Sequence, residues 1–158
     1  LTEYQDNYIV VLMLPPFDEA GNLPPGIHWA SWHDFSERFG TNPHRKRLLA
    51  GLREMLLALR TAHCRTVYVD GSFVTAKEIP GDFDGCWDPA DVELSELDPV
   101  FLDFSNKRAA QKAKYRGEMF VAGSPADLTG RTFLEFFQTD REGNPKGVVA
   151  FDLQEMDL

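Results

Sequence analysis

The chain has 158 residues, 43% of them hydrophobic and twelve of them Phe, and carries a formal net charge of −9. Length and apolar content point to one packed domain and exclude a disordered chain. The acidic balance argues against generic DNA binding and against attachment to an anionic membrane, though not against a local basic site.

Residues 1–13 read as an N-terminal extension or an edge strand, ahead of a single domain over residues 14–158. The longest aliphatic run, residues 9–14, stops at Pro15 and Pro16. It is far shorter than the about 20 residues that a membrane-spanning helix needs. Glu3 and Asp6 stand where a signal peptide would carry basic residues, so the expected location is the cytoplasm. Cys64 and Cys86 follow no metal-ligand spacing and read as reduced thiols rather than as a disulfide. Prolines and glycines then mark a loop as far as Gly26, with residues 23–28 extended against the core. His28 reads as a packing or solvent residue, with a substrate contact as the alternative.

Ser31, with Asp34 three residues on, opens a short helix through Phe35 and Phe39 that ends at Gly40. Asn42 and Pro43 start a longer one. Its Leu48, Leu49, Leu52, Leu56 and Leu59 recur at spacings of three and four and should cover a sheet. Arg45, Lys46 and Arg47 read as a solvated face of that helix, or as a contact with an acidic partner. Residues 66–69 form a short buried strand that leads into Asp70-Gly71-Ser72. Asp82-Phe83-Asp84 follows on the next strand. The acidic residues 88–98 read as a connecting loop and short helix, and residues 100–104 as a third strand. Asn106 caps a helix of strong helix formers that ends at Gly117. Residues 119–122 read as a short strand and 132–139 as a helix with Phe133, Phe136 and Phe137 inward. Residues 148–153 are a last strand, at an edge. The fold class is α+β: a small mixed sheet flanked by helices.

Asp82 and Asp84 carry the clearest chemistry. Side chains alternate across a strand, so both project from one face. Two adjacent carboxylates repel, and one pKa rises unless a cation neutralises them. The natural cation is Mg²⁺, which takes carboxylate oxygens and leaves room for substrate phosphates.

A strand, the Gly71-Ser72 turn and then Asp82-x-Asp84 on the next strand resemble the signature of the nucleotidyltransferase superfamily with the polymerase-beta-like fold. Leu23-Pro24-Pro25-Gly26-Ile27-His28, Asp70-Gly71-Ser72-Phe73-Val74-Thr75 and Pro80-Gly81-Asp82-Phe83-Asp84 are similar to a small bacterial family of nucleotidyltransferase-like proteins. That likeness spans most of the chain from about residue 14. One position departs from the pattern: Gly85 stands where an apolar residue is usual, which bears on where the strand ends.

The resemblance implies a minimal nucleotidyltransferase fold and a two-metal Mg²⁺ site held by Asp82, Asp84 and a third carboxylate on a neighbouring strand. Asp103 is the choice for the third, because it interrupts an apolar strand where an unpaired charge is costly. Asp152 is its rival, and a cap or a pairing with Lys107 and Arg108 is the structural alternative. Gly71 and Ser72 would offer backbone N–H groups and a hydroxyl to phosphate at a helix N-terminus, with Lys77 in reach. Arg108, Lys112 and Arg116 share a helix face, and no acid lies between Phe104 and Gly117 to offset them. They suit a polyanion, or else they balance the acidic stretch 88–98.

The function this implies is Mg²⁺-dependent transfer of a nucleoside monophosphate from an NTP to a hydroxyl of a protein or RNA. Small proteins of this kind are associated with toxin–antitoxin and phage-defence modules, which would supply a cognate partner protein. The alternative is an inactive binding module of the same fold, antitoxin-like or regulatory. A third reading is a structural subunit with no nucleotide site.

Overall fold

The leucines spaced three and four apart over residues 48–59 pack onto a five-stranded sheet, as their periodicity requires. The computed structural model describes residues 14–158, and the expected extension or edge strand at residues 1–13 lies outside them. In chain order the elements are β1 (Gly26–Trp29), α1 (Trp32–Phe39), α2 (Pro43–Thr61), β2 (Thr66–Asp70), β3 (Phe83–Trp87), α3 (Ser105–Tyr115), β4 (Gly117–Val121), α4 (Phe133–Phe137) and β5 (Gly147–Asp152). Single turns of 3-10 helix fall at Ser72–Val74, Leu94–Glu96 and Pro99–Leu102. The strand order is β1-β5-β2-β3-β4, with β1 parallel to β5, β3 parallel to β4, and β2 antiparallel to both its neighbours. The fold is α+β with a mixed sheet.

Both early helices start as their caps dictate. Ser31 Oγ accepts from the Asp34 N–H at 3.1 Å, and Asn42 Oδ1 from the Arg45 N–H at 2.8 Å. Their apolar faces bury Phe35, Phe39, Leu52, Met55, Leu56 and Leu59 against Val67, Val69, Val149 and Phe151 of the sheet. Each such side chain contributes about 1.5–3 kcal/mol by leaving water. α4 lies on the other face, where Phe137 packs with Cys86 and Val148. α3 closes the β4 edge: the Gln111 side-chain amide accepts from the Met119 N–H at 2.9 Å and donates to its carbonyl at 3.3 Å. An edge strand is thereby kept from pairing with another chain.

Several local expectations are overturned, each for a physical reason. Residues 100–104 are not a strand. Pro99–Leu102 is one 3-10 turn, begun by Pro99 and by Asp98, whose carboxylate accepts from the Val100 N–H at 3.1 Å; Phe101 is the buried residue of the four. Asn106 is not a cap. Asn106, Lys107 and Arg108 all take left-handed backbone angles, with φ of 50°, 56° and 60°, and right-handed helix follows only after them. Such a turn costs roughly 1–2 kcal/mol per residue. β5 is not an edge; it runs between β1 and β2, and its first five residues are buried. Of the three phenylalanines of α4, only Phe137 is buried, and Phe136 is exposed.

Arg45 is not on a solvated face. It is 3% exposed, and its guanidinium donates to the carbonyls of Phe39, Phe73, Thr75 and Lys77 at 3.2, 2.7, 2.8 and 3.2 Å. This pins the loop after Gly71-Ser72 to the start of α2. Gly85 does not end its strand. A Cβ there would lie 2.2 Å from the Tyr68 carbonyl oxygen and 2.8 Å from Met119 Sδ. The missing side chain is what lets β3 continue to Trp87 between its neighbours.

Candidate functional site

The strand register builds the site. Asp70 of β2 stands opposite Asp84 of β3, and Asp84 opposite Glu118 of β4. Laterally paired residues share a face, so the three carboxylates form a row across the sheet on the face that carries α4. Asp82, two residues before Asp84, joins them. One carboxylate oxygen from each of Asp82, Asp84 and Glu118 lies within 4.8 Å of the others. Asp82 and Asp84 therefore come together as their spacing implied.

Asp103 does not join them. It follows the 3-10 turn, partly exposed, and its Oδ1 accepts from the Ser105 N–H and hydroxyl at 3.1 and 2.5 Å. Those bonds hold its carboxyl below the usual carboxylate range. This is the capping alternative, although the group served is Ser105 and not Lys107 or Arg108. The rival, Asp152, stands opposite Thr66, at the other end of β2 from Asp70. The third carboxylate is Glu118, on the strand that does neighbour β3.

Burial and mutual charge set the protonation of the cluster. Burial, then the Asp82 charge and the hydrogen bond to Glu118, pushes the Asp84 carboxyl up to about 8. Burial and the Glu118 charge raise Asp82 as well, against the opposing charges of Lys112 and Lys77. Glu118 is held low despite its burial, because Arg108 Nε donates to its Oε2 at 2.7 Å and Lys112 Nζ lies 3.4 Å away. Without a cation, burial and mutual charge favour a proton on Asp84 beside the ionised Glu118. A divalent cation taking all three carboxylates would displace that proton.

Gly71 brings backbone against the Asp84 carboxylate. Its φ is 81°, and a Cβ there would meet Asp84 Oδ2 at 2.4 Å. Ser72 follows, partly exposed, and opens one 3-10 turn rather than an α-helix. The helix N-terminus expected to meet phosphate is therefore absent at this turn, and Lys77 lies on the loop beyond, exposed, its charge felt by Asp82.

Two residues that spacing did not single out complete the row. Asp70 is 3% exposed, and its Oδ2 lies 3.4 Å from Lys146 Nζ, just before β5. Burial lifts its carboxyl to about 6 against the Lys146 charge, and its Oδ1 has no partner among the described residues.

The basic residues of α3 do not balance the acidic stretch 88–98 as a group. Lys114 does so, with Tyr115, on Asp98. Arg108 and Lys112 turn instead to Glu118, and Arg116 donates to the Arg47 carbonyl at 2.9 Å. Lys112 and Arg116 also line an open cleft of about 380 Å³ with His44, Arg47, Leu48, Gly81 and Asp82. A carboxylate trio that could hold a cation thus borders a basic cleft at Asp82. His28 is structural: its Nε2 is 2.7 Å from the Pro24 carbonyl. Cys64 and Cys86 are free and buried, and burial pushes both thiols up to about 12.

The separations of Asp82, Asp84 and Glu118 suit a hard divalent cation, whose bonds to oxygen are about 2.0–2.6 Å long. No helix of the described residues is long and apolar enough to cross a membrane. A family model described as a family of unknown function (DUF6932) matches residues 15–152. No curated protein and no solved structure matches the chain.

Proposed function

The chain belongs to this family, DUF6932, and we propose from the geometry of its site that it is a Mg²⁺-dependent nucleotidyltransferase. In this reading it moves a nucleoside monophosphate from an NTP to a hydroxyl of a protein or an RNA. The observation that carries the reading is the convergence of Asp82, Asp84 and Glu118 within 4.8 Å beside a cleft lined by His44, Arg47, Lys112 and Arg116. Carboxylates that hold a cation next to side chains that hold phosphate are the two halves of a phosphoryl-transfer site.

Asp82, Asp84 and Glu118 would hold the cation, which when bound neutralises the charge that develops on the phosphate. Lys112 and Arg116 draw the phosphates towards Asp82, and Lys77 approaches from the opposite loop. The Gly71 backbone keeps Asp84 in place, and Arg108 orients Glu118 through its bond to Oε2. The orphan Oδ1 of Asp70 is a buried acceptor in the same row. Two free buried cysteines support a reducing, cytoplasmic setting. A toxin–antitoxin or phage-defence module with a cognate partner protein remains part of the proposal.

A second reading is favoured by one contact. The Arg108–Glu118 ion pair occupies a proposed cation ligand, as it would in a module that holds a nucleotide without turnover. Calorimetric titration with NTP and Mg²⁺ tests the site that both readings share. Binding that is lost in Asp82→Asn/Asp84→Asn supports it, and unchanged affinity in that variant removes these carboxylates from the site. Transfer of label from an α-labelled NTP then separates an enzyme from a binding module.

A further inference from the structure

Beyond Arg108, on the other side of the trio from the basic cleft, lies a second cavity of about 250 Å³, lined by Phe104, Arg108, Phe120, Val121, Ser124 and Phe133. Three of its rings are nearly coplanar in orientation. Phe120 stacks on Phe133 at 4.2 Å and 11°, and Phe104 lies 6.2 Å from Phe120 at 9°. The Arg108 guanidinium sits 5.1 Å from the Phe120 ring centre while its Nε holds Glu118. Phe104 is 41% exposed, a large apolar ring kept in water at the rim of a pocket.

The backbone that arranges this pocket is strained. Asn106, Lys107 and Arg108 form the left-handed turn that follows Phe104. Strain of this kind clusters where a binding site needs a fixed geometry. Here it connects the rim ring to the arginine that spans pocket and trio.

We infer that this pocket stacks the nucleobase of the bound nucleotide, purines in preference to pyrimidines. The inference rests on the nucleotidyltransferase reading above. Phe120 and Glu118 are two residues apart on β4 and face the same way, so the pocket lies about 7 Å along the strand from the trio. That is comparable to the reach of a nucleoside from base to 5′-phosphate. A base stacked on the exposed side of the Phe104 ring, which continues the Phe120–Phe133 stack, puts its α-phosphate over Glu118 and Asp84, and its outer phosphates towards Asp82, Lys112 and Arg116. Parallel aromatic rings offer flat π-faces to a planar heterocycle, and the two-ring purines cover more of them. Arg108 is the pocket's charged lining residue, and it points the nucleotide's anionic end towards the trio.

The test is calorimetric titration of the full chain with Mg²⁺ complexes of ATP, GTP, CTP, UTP and inorganic tripolyphosphate. Wild type, Phe104→Ala and Phe104→Trp are compared. Losing one aromatic–base stack weakens binding by about five- to 150-fold. Wild type is therefore expected to bind ATP or GTP at least fivefold more tightly than tripolyphosphate and more tightly than either pyrimidine nucleotide. Phe104→Ala is expected to lose most of that increment with tripolyphosphate affinity unchanged, and Phe104→Trp to keep it. Because Phe104 is an exposed rim residue, an unchanged melting temperature is expected in both variants. Tripolyphosphate binding as tight as that of every nucleotide, or nucleotide binding indifferent to Phe104→Ala, overturns the base pocket alone. Failure of all five compounds to bind overturns the nucleotidyltransferase reading itself, and the pocket with it.

Discussion

Lowering the pH should weaken divalent-cation binding steeply between pH 8 and pH 6. Asp84 is the reason. Burial, the Asp82 charge and the bond to Glu118 hold its carboxyl up to about 8, so a cation that takes its oxygen must first displace a proton. For one group titrating at about 8, the ionised fraction is roughly one half at pH 8, about 9% at pH 7 and about 1% at pH 6. Apparent affinity for Mg²⁺ should therefore fall roughly 50-fold over two pH units, equivalent to about 2.3 kcal/mol at about 1.36 kcal/mol per tenfold. The assay is titration calorimetry with Mg²⁺ at pH 6, 7 and 8, in two buffers of different ionisation enthalpy. At pH 7 the buffer dependence should report about 0.9 proton released per cation bound. Asp84→Asn should bind weakly, with no such pH dependence. An affinity flat within about twofold from pH 6 to pH 8, with no proton release, would show that Asp84 is not the protonated ligand.

Three further outcomes follow from the same structure. Without divalent cations, the melting temperature should fall as pH rises from about 4 towards about 8. Asp84, raised to about 8, and Asp70, raised to about 6, keep protons in the folded state that the unfolded chain has already released. Scanning calorimetry with and without Mg²⁺ at pH 5 and pH 8 checks this, and a cation-free protein that gains stability over that range refutes it. Arg45→Met should cost about 3 kcal/mol or more in urea unfolding, since it leaves the buried carbonyls of Phe39 and Phe73 and the half-buried ones of Thr75 and Lys77 without their donor; a loss below about 1 kcal/mol would mean that water takes over those bonds. Gly71→Ala should keep the fold but weaken Mg²⁺ binding at least about tenfold, because its Cβ would meet Asp84 Oδ2 at 2.4 Å on top of a left-handed φ. Wild-type affinity in that variant would show that the loop shifts freely.

Much of this architecture is legible in local chemistry. Ser31 and Asn42 cap helices with their own side chains, and the leucines of α2 declare its buried face. The Gly71 turn and the Asp82–Asp84 spacing locate the heart of the site. What a single sequence hides is strand order. Asp103 looks like an acid within an apolar strand, yet Pro99 and Asp98 set a 3-10 turn there first, and the neighbour of β3 is β4. Glu118 carries a weak signal: it heads a short apolar run just after a basic helix, facing the same way as Phe120. Asp70 and Lys146 are 76 residues apart and are joined only because β5 inserts between β1 and β2. Arg45 looks solvated because the carbonyls it serves belong to a loop some thirty residues on. The left-handed turn at residues 106–108 is invisible to helix propensity, which favours a helix throughout.

Transfer of label from nucleotide to acceptor tests the central claim most directly. The protein is incubated with Mg²⁺, a cell extract and each of the four NTPs in turn, labelled at the α- or the γ-phosphate, at pH 8. Label from at least one α-labelled NTP is expected to appear in protein or RNA, with none from the γ-labelled form, and Asp82→Asn/Asp84→Asn is expected to abolish it. No label from any α-labelled NTP, or equal labelling by the double variant, would contradict nucleotidyl transfer at Asp82, Asp84 and Glu118.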